Sequence, residues 1–92
     1  MKRLSHQDIQ ARLSEAPGWR YDGSVLSRQW RFADFREAVA FVNRVAGLAE
    51  ALDHHPDILI RYHTVQLTLT THSVGGVTEK DLQLAARINR LE

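Results

Sequence analysis

Residues 34–72 read DFREAVAFVNRVAGLAEALDHHPDILIRYHTVQLTLTTH, and the change of hydrophobic period inside this stretch decides the fold. Asp34 is an N-cap with Glu37 three residues on, and Phe35, Val39, Val42, Ala46 and Ala49 then recur at helical spacing. Phe41, Val45, Leu48 and Leu52 widen this apolar stripe beyond the ~100° that one packing face needs. The second helix is therefore expected either to serve two surfaces, the sheet of its own subunit and a second copy of the chain, or to lie deep in the core, which gives the same pattern. His54-His55-Pro56 ends it, because proline disfavours the helical conformation in the residue before it. From there the period drops to two. Asp57 to Tyr62 and Thr64 to Thr71 read as strands, the latter with Val65, Leu67 and Leu69 on one face and Thr64, Gln66, Thr68 and Thr70 on the other.

Outward from this stretch, Ser5 with Asp8 forms a capping box and Leu4 with Ile9 a hydrophobic staple, which starts a first helix from about His6 to Glu15. Pro17-Gly18 stops it. Trp19 to Tyr21 and Val25 to Phe32 flank Asp22-Gly23-Ser24 and read as a hairpin. Near the C-terminus Thr78 caps a last helix with Asp81 at its third position, and Val77 with Leu82 makes another staple. The order α-β-β-α-β-β-α predicts an α+β fold of two layers, a four-stranded antiparallel sheet with helices on one face.

Composition bounds the function. Ninety-two residues suit one domain, 1–92, with one core, and 43% hydrophobic with 25% charged residues is globular. Twelve basic against eleven acidic residues leave +1, without the footprint of a direct nucleic-acid binder. No cysteine is present, which excludes disulfide scaffolds, thiolate metal sites and cysteine nucleophiles. The first eight residues have no apolar run after Lys2-Arg3, and no stretch reaches membrane-spanning length, so the expected setting is cytoplasmic, away from a membrane.

The unusual feature is five histidines. Glu50, Asp53, His54 and His55 concentrate carboxylates and imidazoles at the end of the second helix, and imidazole is the side chain whose ordinary titration lies nearest neutrality. That suits proton transfer. The plainer alternative is that His54 and His55 only cap helix carbonyls. His72 closes a strand before a glycine-containing loop, where side chains project into sites, though a solvated residue would look the same. Asp81 is accounted for by its capping box alone. Tyr62 reads as packing, and His6 and His63 as surface positions. A metal is not expected: the His-Glu-x-x-His spacing is absent, and neighbouring His54 and His55 diverge on an extended backbone.

Taken together, Glu50-x3-His54-His55-Pro56-x5-Tyr62-x9-His72-x8-Asp81 resembles the signature of the pterin-4a-carbinolamine dehydratases. Pro17-Gly18-Trp19, Trp30-Arg31-Phe32-Ala33-Asp34-Phe35, Leu67 to His72 and Gly76 to Asp81 extend the likeness, which runs from about Leu13 to Ile88 without a gap. It departs at Ile58 and Leu59, where family members often carry an aromatic residue, and at Val77, where leucine is usual. The resemblance implies dehydration of 4a-hydroxytetrahydropterin to quinonoid dihydropterin and water, with no metal or organic cofactor. It further implies recycling of the pterin for an aromatic amino-acid hydroxylase by a homodimer or homotetramer. On this reading His54 and His72 are the acid/base pair, with either able to take either role, and His55 is a further proton-transfer or positioning group. Glu50 and Asp53 orient the imidazoles, and Thr70, Thr71 and Ser73 offer hydrogen bonds to the pterin. Asp81 stands behind a histidine as well as capping its helix. The alternative is a protein-binding module, a dimerisation cofactor or a stabiliser of a partner enzyme, without catalysis.

Overall fold

The computed structural model describes residues 2–91. Helix α1 spans His6–Arg12 and tightens into a single 3-10 turn, Leu13–Glu15. Strands β1, Arg20–Tyr21, and β2, Leu26–Arg31, form the first hairpin. Helix α2 runs over Phe35–Leu52, strands β3, Asp57–Arg61, and β4, Thr64–Leu69, form the second hairpin, and helix α3 covers Glu79–Asn89. The expected α+β order and the antiparallel four-stranded sheet are both present. The strands lie in the order β1-β2-β4-β3. The two hairpins therefore join along β2 and β4, where Leu26 to Arg31 pair with Leu69 to Thr64, and β3 is left at an edge.

Local chemistry explains the boundaries. The Asp34 carboxylate accepts the Glu37 N–H at 2.8 Å and opens α2, and the Ser5 hydroxyl accepts the Asp8 N–H at 3.0 Å and opens α1. Asp22 turns the first hairpin by accepting the Ser24 and Val25 N–H groups, each at 2.8 Å, and these two bonds hold its carboxyl below the usual carboxylate range. Helix α2 ends at Leu52, just before the histidine pair, because Asp53 takes a left-handed φ of 51° and carries the chain away from the axis. Asp tolerates that region better than most side chains do.

The core forms between the helices and one face of the sheet. Leu26, Trp30, Val65, Leu67 and Leu69 alternate onto that face, and Ile9, Phe41, Val45, Leu84 and Ile88 descend on it from the helices. Phe41 stands between Trp30 and Phe32, with ring centroids 4.9 and 5.1 Å away. The buried stripe of α2 is Ala38, Phe41, Val45 and Ala49, with Val42, Leu48 and Leu52 packed beside it. The stripe is thus turned from the first register read in the sequence. Phe35 is 53% exposed and Ala46 is also exposed, while Phe35, Val39 and Ala40 border a shallow groove of about 390 Å³ on the outer flank.

Candidate active site

The site is assembled where the end of α2, the segment after β4 and the start of α3 meet. His54 is the first residue beyond the left-handed cap, and its N–H bonds the Ala49 carbonyl at 3.0 Å. This bond fixes the backbone and aims the ring across at α3. There the His54 Nε2 lies 2.5 Å from Asp81 Oδ1, with the imidazole 11% exposed and the carboxylate fully buried.

Asp81 is held from its other side. Its Oδ2 accepts the Thr78 N–H at 2.8 Å, the cap bond expected from sequence, and also the Thr71 hydroxyl at 2.8 Å. The Thr71 and Thr78 hydroxyls are 2.9 Å apart. Thr71 has one proton and gives it to the carboxylate, so Thr78 must be the donor in that contact. Thr78 in turn accepts from the Asp81 backbone, which completes the capping box and closes a ring of donors around one buried carboxylate. A carboxylate can only accept, so with Asp81 ionised it is the His54 Nε2–H that donates in this contact. His54 Nδ1 is then the nitrogen left for other chemistry.

His55 turns the other way. Its Nε2 meets Glu50 Oε2 at 2.5 Å on the surface, where the two side chains are 54% and 78% exposed. The pair diverges as an extended backbone requires. His72 is exposed and opens a 3-10 turn, His72–Val74, that Gly75 ends at a left-handed φ of 67°. It directly follows Thr71, so the residue that donates to Asp81 also anchors the base of His72.

Of the residues singled out in the sequence, His54, Asp81 and Thr71 are joined by hydrogen bonds and Glu50 is joined to His55, while His72 is exposed and follows Thr71 in the chain. Asp53 is the left-handed cap, exposed, and its carboxylate bonds neither imidazole among the described residues. The Thr71 hydroxyl faces Asp81, not an open surface, whereas Ser73 is exposed and Thr70 half-buried. Sequence reasoning passed over Thr78 as a site residue. Its signal was the buried parity of Thr71, which continues Val65, Leu67 and Leu69 and so predicts a buried hydroxyl needing a polar neighbour. Among the described residues no three His, Asp or Glu side chains gather as a set that could hold a metal ion. Two surface concavities of about 470 and 360 Å³ lie on the uncovered face of the sheet, around Arg20, Gln29, Gln66 and Arg61, and contain no acid-base pair.

Comparison with known proteins gives this geometry a context. The sequence matches the family model described as Pterin 4 alpha carbinolamine dehydratase over residues 2–91. A relative from Thermomicrobium roseum, provisionally named pterin-4-alpha-carbinolamine dehydratase, is 54% identical over 91 residues, covering 99% of this chain and 98% of its own. A relative from Sulfolobus acidocaldarius with the same provisional name is 43% identical and covers 98% and 99%. Among solved structures, a transcriptional coactivator/pterin dehydratase from Brucella melitensis superposes with a TM-score of 0.90 at 38% identity, covering 98% of each chain. A pterin dehydratase-like protein, identified as a RuBisCO assembly factor in the alpha-carboxysome, superposes at 0.69 with 26% identity, covering 84% of this chain and 92% of that one.

Proposed function

The chain belongs to the pterin 4 alpha carbinolamine dehydratase family, and from that premise we propose that it dehydrates 4a-hydroxytetrahydropterin to quinonoid dihydropterin and water. The observation that carries the proposal is the buried Asp81 carboxylate holding His54 through Nε2, with Thr71 tying the same carboxylate to the base of His72. One imidazole is held by the carboxylate through one nitrogen, and a second, exposed imidazole belongs to the residue that follows Thr71.

The reaction asks for two proton movements. The C4a–O bond breaks and its oxygen must collect a proton to leave as water, while N5 gives up its proton as the C4a=N5 bond forms. One histidine donates and the other accepts, and the proton count of substrate and products balances without an added oxidant or reductant. In its neutral form His54, with the ring proton held toward Asp81, accepts at Nδ1. His72 is then the matching donor to the leaving oxygen. His55 with Glu50 supplies a further charged or hydrogen-bonding contact at the rim, and Ser73 and Thr70 offer hydrogen bonds to the ring system. Residues 1–92 act as a single domain in the cytoplasm and return the pterin to an aromatic amino-acid hydroxylase, with no cofactor of their own.

A second reading, a protein-binding module, draws support from the RuBisCO assembly factor and the coactivator among the similar structures. Stopped-flow decay of chemically generated 4a-hydroxytetrahydropterin separates the two. Wild type is expected to accelerate the decay, and His54→Ala and His72→Ala each to lose roughly 10²-fold or more of that acceleration while keeping the wild-type circular dichroism spectrum. No acceleration by wild type over buffer would transfer the chain to the binding-module reading.

A further inference from the structure

The loop that carries His72 is pinched at its base. Thr71 and Gly76 form an isolated bridge there, with the Thr71 N–H on the Gly76 carbonyl at 2.9 Å and the Gly76 N–H on the Thr71 carbonyl at 3.4 Å. Inside the loop the Val74 N–H bonds the Thr71 carbonyl at 3.1 Å, and the Gly75 N–H bonds the His72 carbonyl at 3.2 Å. The His72 ring is exposed and bonds no other described residue, so its position is inherited from this backbone.

Each side of the bridge has its own anchor. On one side the Thr71 hydroxyl bonds Asp81. On the other, the segment before α1 runs along residues 76–77, where the Leu4 N–H bonds the Val77 carbonyl at 2.9 Å. Leu4 packs against the core and Ser5 caps α1, which leaves Arg3 to lie over Gly76. Gly76 is buried although its neighbour Gly75 is exposed. A Cβ at position 76 would fall inside the Cγ and Cδ methylenes of Arg3. Close approach is therefore what position 76 requires of glycine, whereas Gly75 is required by its left-handed backbone. Arginine suits the covering role because its stem is apolar while its head stays in water. The head stands near enough to Tyr21 to oppose the rise that burial, and then Asp22, impose on that phenol, and it borders a concavity of about 210 Å³ shared with Ser5, His6 and Gly75.

We infer that Arg3 is a positioning residue for the reaction: its apolar stem, laid on Gly76, keeps the Thr71–Gly76 bridge closed and so holds the backbone from which His72 projects. The longer bond of the bridge is weak by its distance, and water competes for such a bond wherever it can reach it. The stem keeps water out. A short loop with an exposed tip opens readily unless its base is covered, and misplacing a reacting group by about 1 Å can cost up to about 10²-fold in rate. The kinetic part of this inference rests on the dehydratase reading, whereas the closed loop does not.

Amide hydrogen exchange and carbinolamine kinetics on the same variants test both parts. Arg3→Ala is expected to speed exchange of the Thr71 amide about tenfold or more, while the Val65 and Leu67 amides of β4 keep wild-type protection. The same variant is expected to lower kcat about tenfold and to leave KM within about twofold of wild type. Arg3→Met keeps an unbranched stem without the charge and is expected to recover both properties. Gly76→Ala puts a methyl where the stem lies, so it should reproduce the Arg3→Ala losses, and the double variant should be no worse than either single one. Losses that multiply in the double variant overturn the contact. Unchanged Thr71 exchange in Arg3→Ala overturns the cover, and an Arg3→Met chain that behaves like Arg3→Ala overturns the role of the stem. Faster exchange with unchanged kcat, where wild type dehydrates the carbinolamine, removes Arg3 from the reaction. Exchange that follows the expected pattern in a chain that leaves carbinolamine decay unchanged overturns the dehydratase reading and supports the closed loop.

Discussion

At the scale of a residue, Asp81 does two jobs with two oxygens. Oδ2 is committed to the Thr78 N–H and the Thr71 hydroxyl, and Oδ1 to the His54 ring. The jobs can be separated by substitution. Asp81→Asn keeps an oxygen for the cap and presents an NH2 group to His54, which forces the ring proton onto Nδ1. The fold should survive, kcat should fall by about 10²- to 10⁴-fold with little change in KM, and the His54 nitrogen chemical shifts should report the exchanged tautomer. Asp81→Ala leaves the Thr78 N–H and Thr71 hydroxyl unsatisfied in a dry site and should cost about 1–3 kcal/mol in urea unfolding as well. Equal kcat in wild type and Asp81→Asn would remove the carboxylate from the mechanism. The cap was legible as Thr-x-x-Asp. That Asp81 stands behind a histidine followed only from the family resemblance, and that the histidine is His54 was not legible, because the contact spans 27 residues and depends on where α3 lands. Asp53 shows the converse: its spacing placed it among the imidazoles, and its left-handed backbone turned it into the helix stop instead.

At the scale of an element, α1 and α3 are tied by one guanidinium. Arg12, the last residue of α1, holds Glu15 through two bonds of 2.9 Å and reaches Glu79, the first residue of α3, through a 3.0 Å bond and a second, shorter contact. Both carboxyls are held below the usual glutamate value by those bonds, and Arg12 is pushed up by Glu15 and then Glu79. A depressed carboxyl adds stability that is complete above its unfolded value of about 4.5 and disappears as pH falls through the lower folded value. Arg12→Ala should therefore be slightly less stable than wild type near neutrality, and the difference should vanish in acid below that window. The effect is small because the groups are exposed and water screens them. Unfolding midpoints of the two proteins from pH 7 to pH 2 check it, and a gap that widens in acid would refute the assignment. The elements themselves were well marked in sequence, each by a cap and a period. The register of the α2 stripe was not, since its apolar residues spread over more than one face of the cylinder and only the sheet selects Ala38, Phe41, Val45 and Ala49 for burial.

At the scale of the whole molecule, one aromatic position links the layers. Phe41 is 1% exposed and touches the rings of Trp30 and Phe32. Phe41→Ala should cost about 3–5 kcal/mol by urea unfolding, far more than Phe35→Ala on the outer flank, and similar costs at the two positions would contradict the placement of the core. What the sequence determined by itself is what short-range physics controls. The caps, the change from helical to strand period and the absence of cysteine together specify the α-β-β-α-β-β-α order and the concentration of histidines and carboxylates at the end of α2. The tertiary structure alone decided the β1-β2-β4-β3 order, the buried face of α2 and which histidine Asp81 holds. The reason is that these depend on contacts between residues far apart in the chain, where loop closure and the desolvation of a shared core, and no local preference, select the partner.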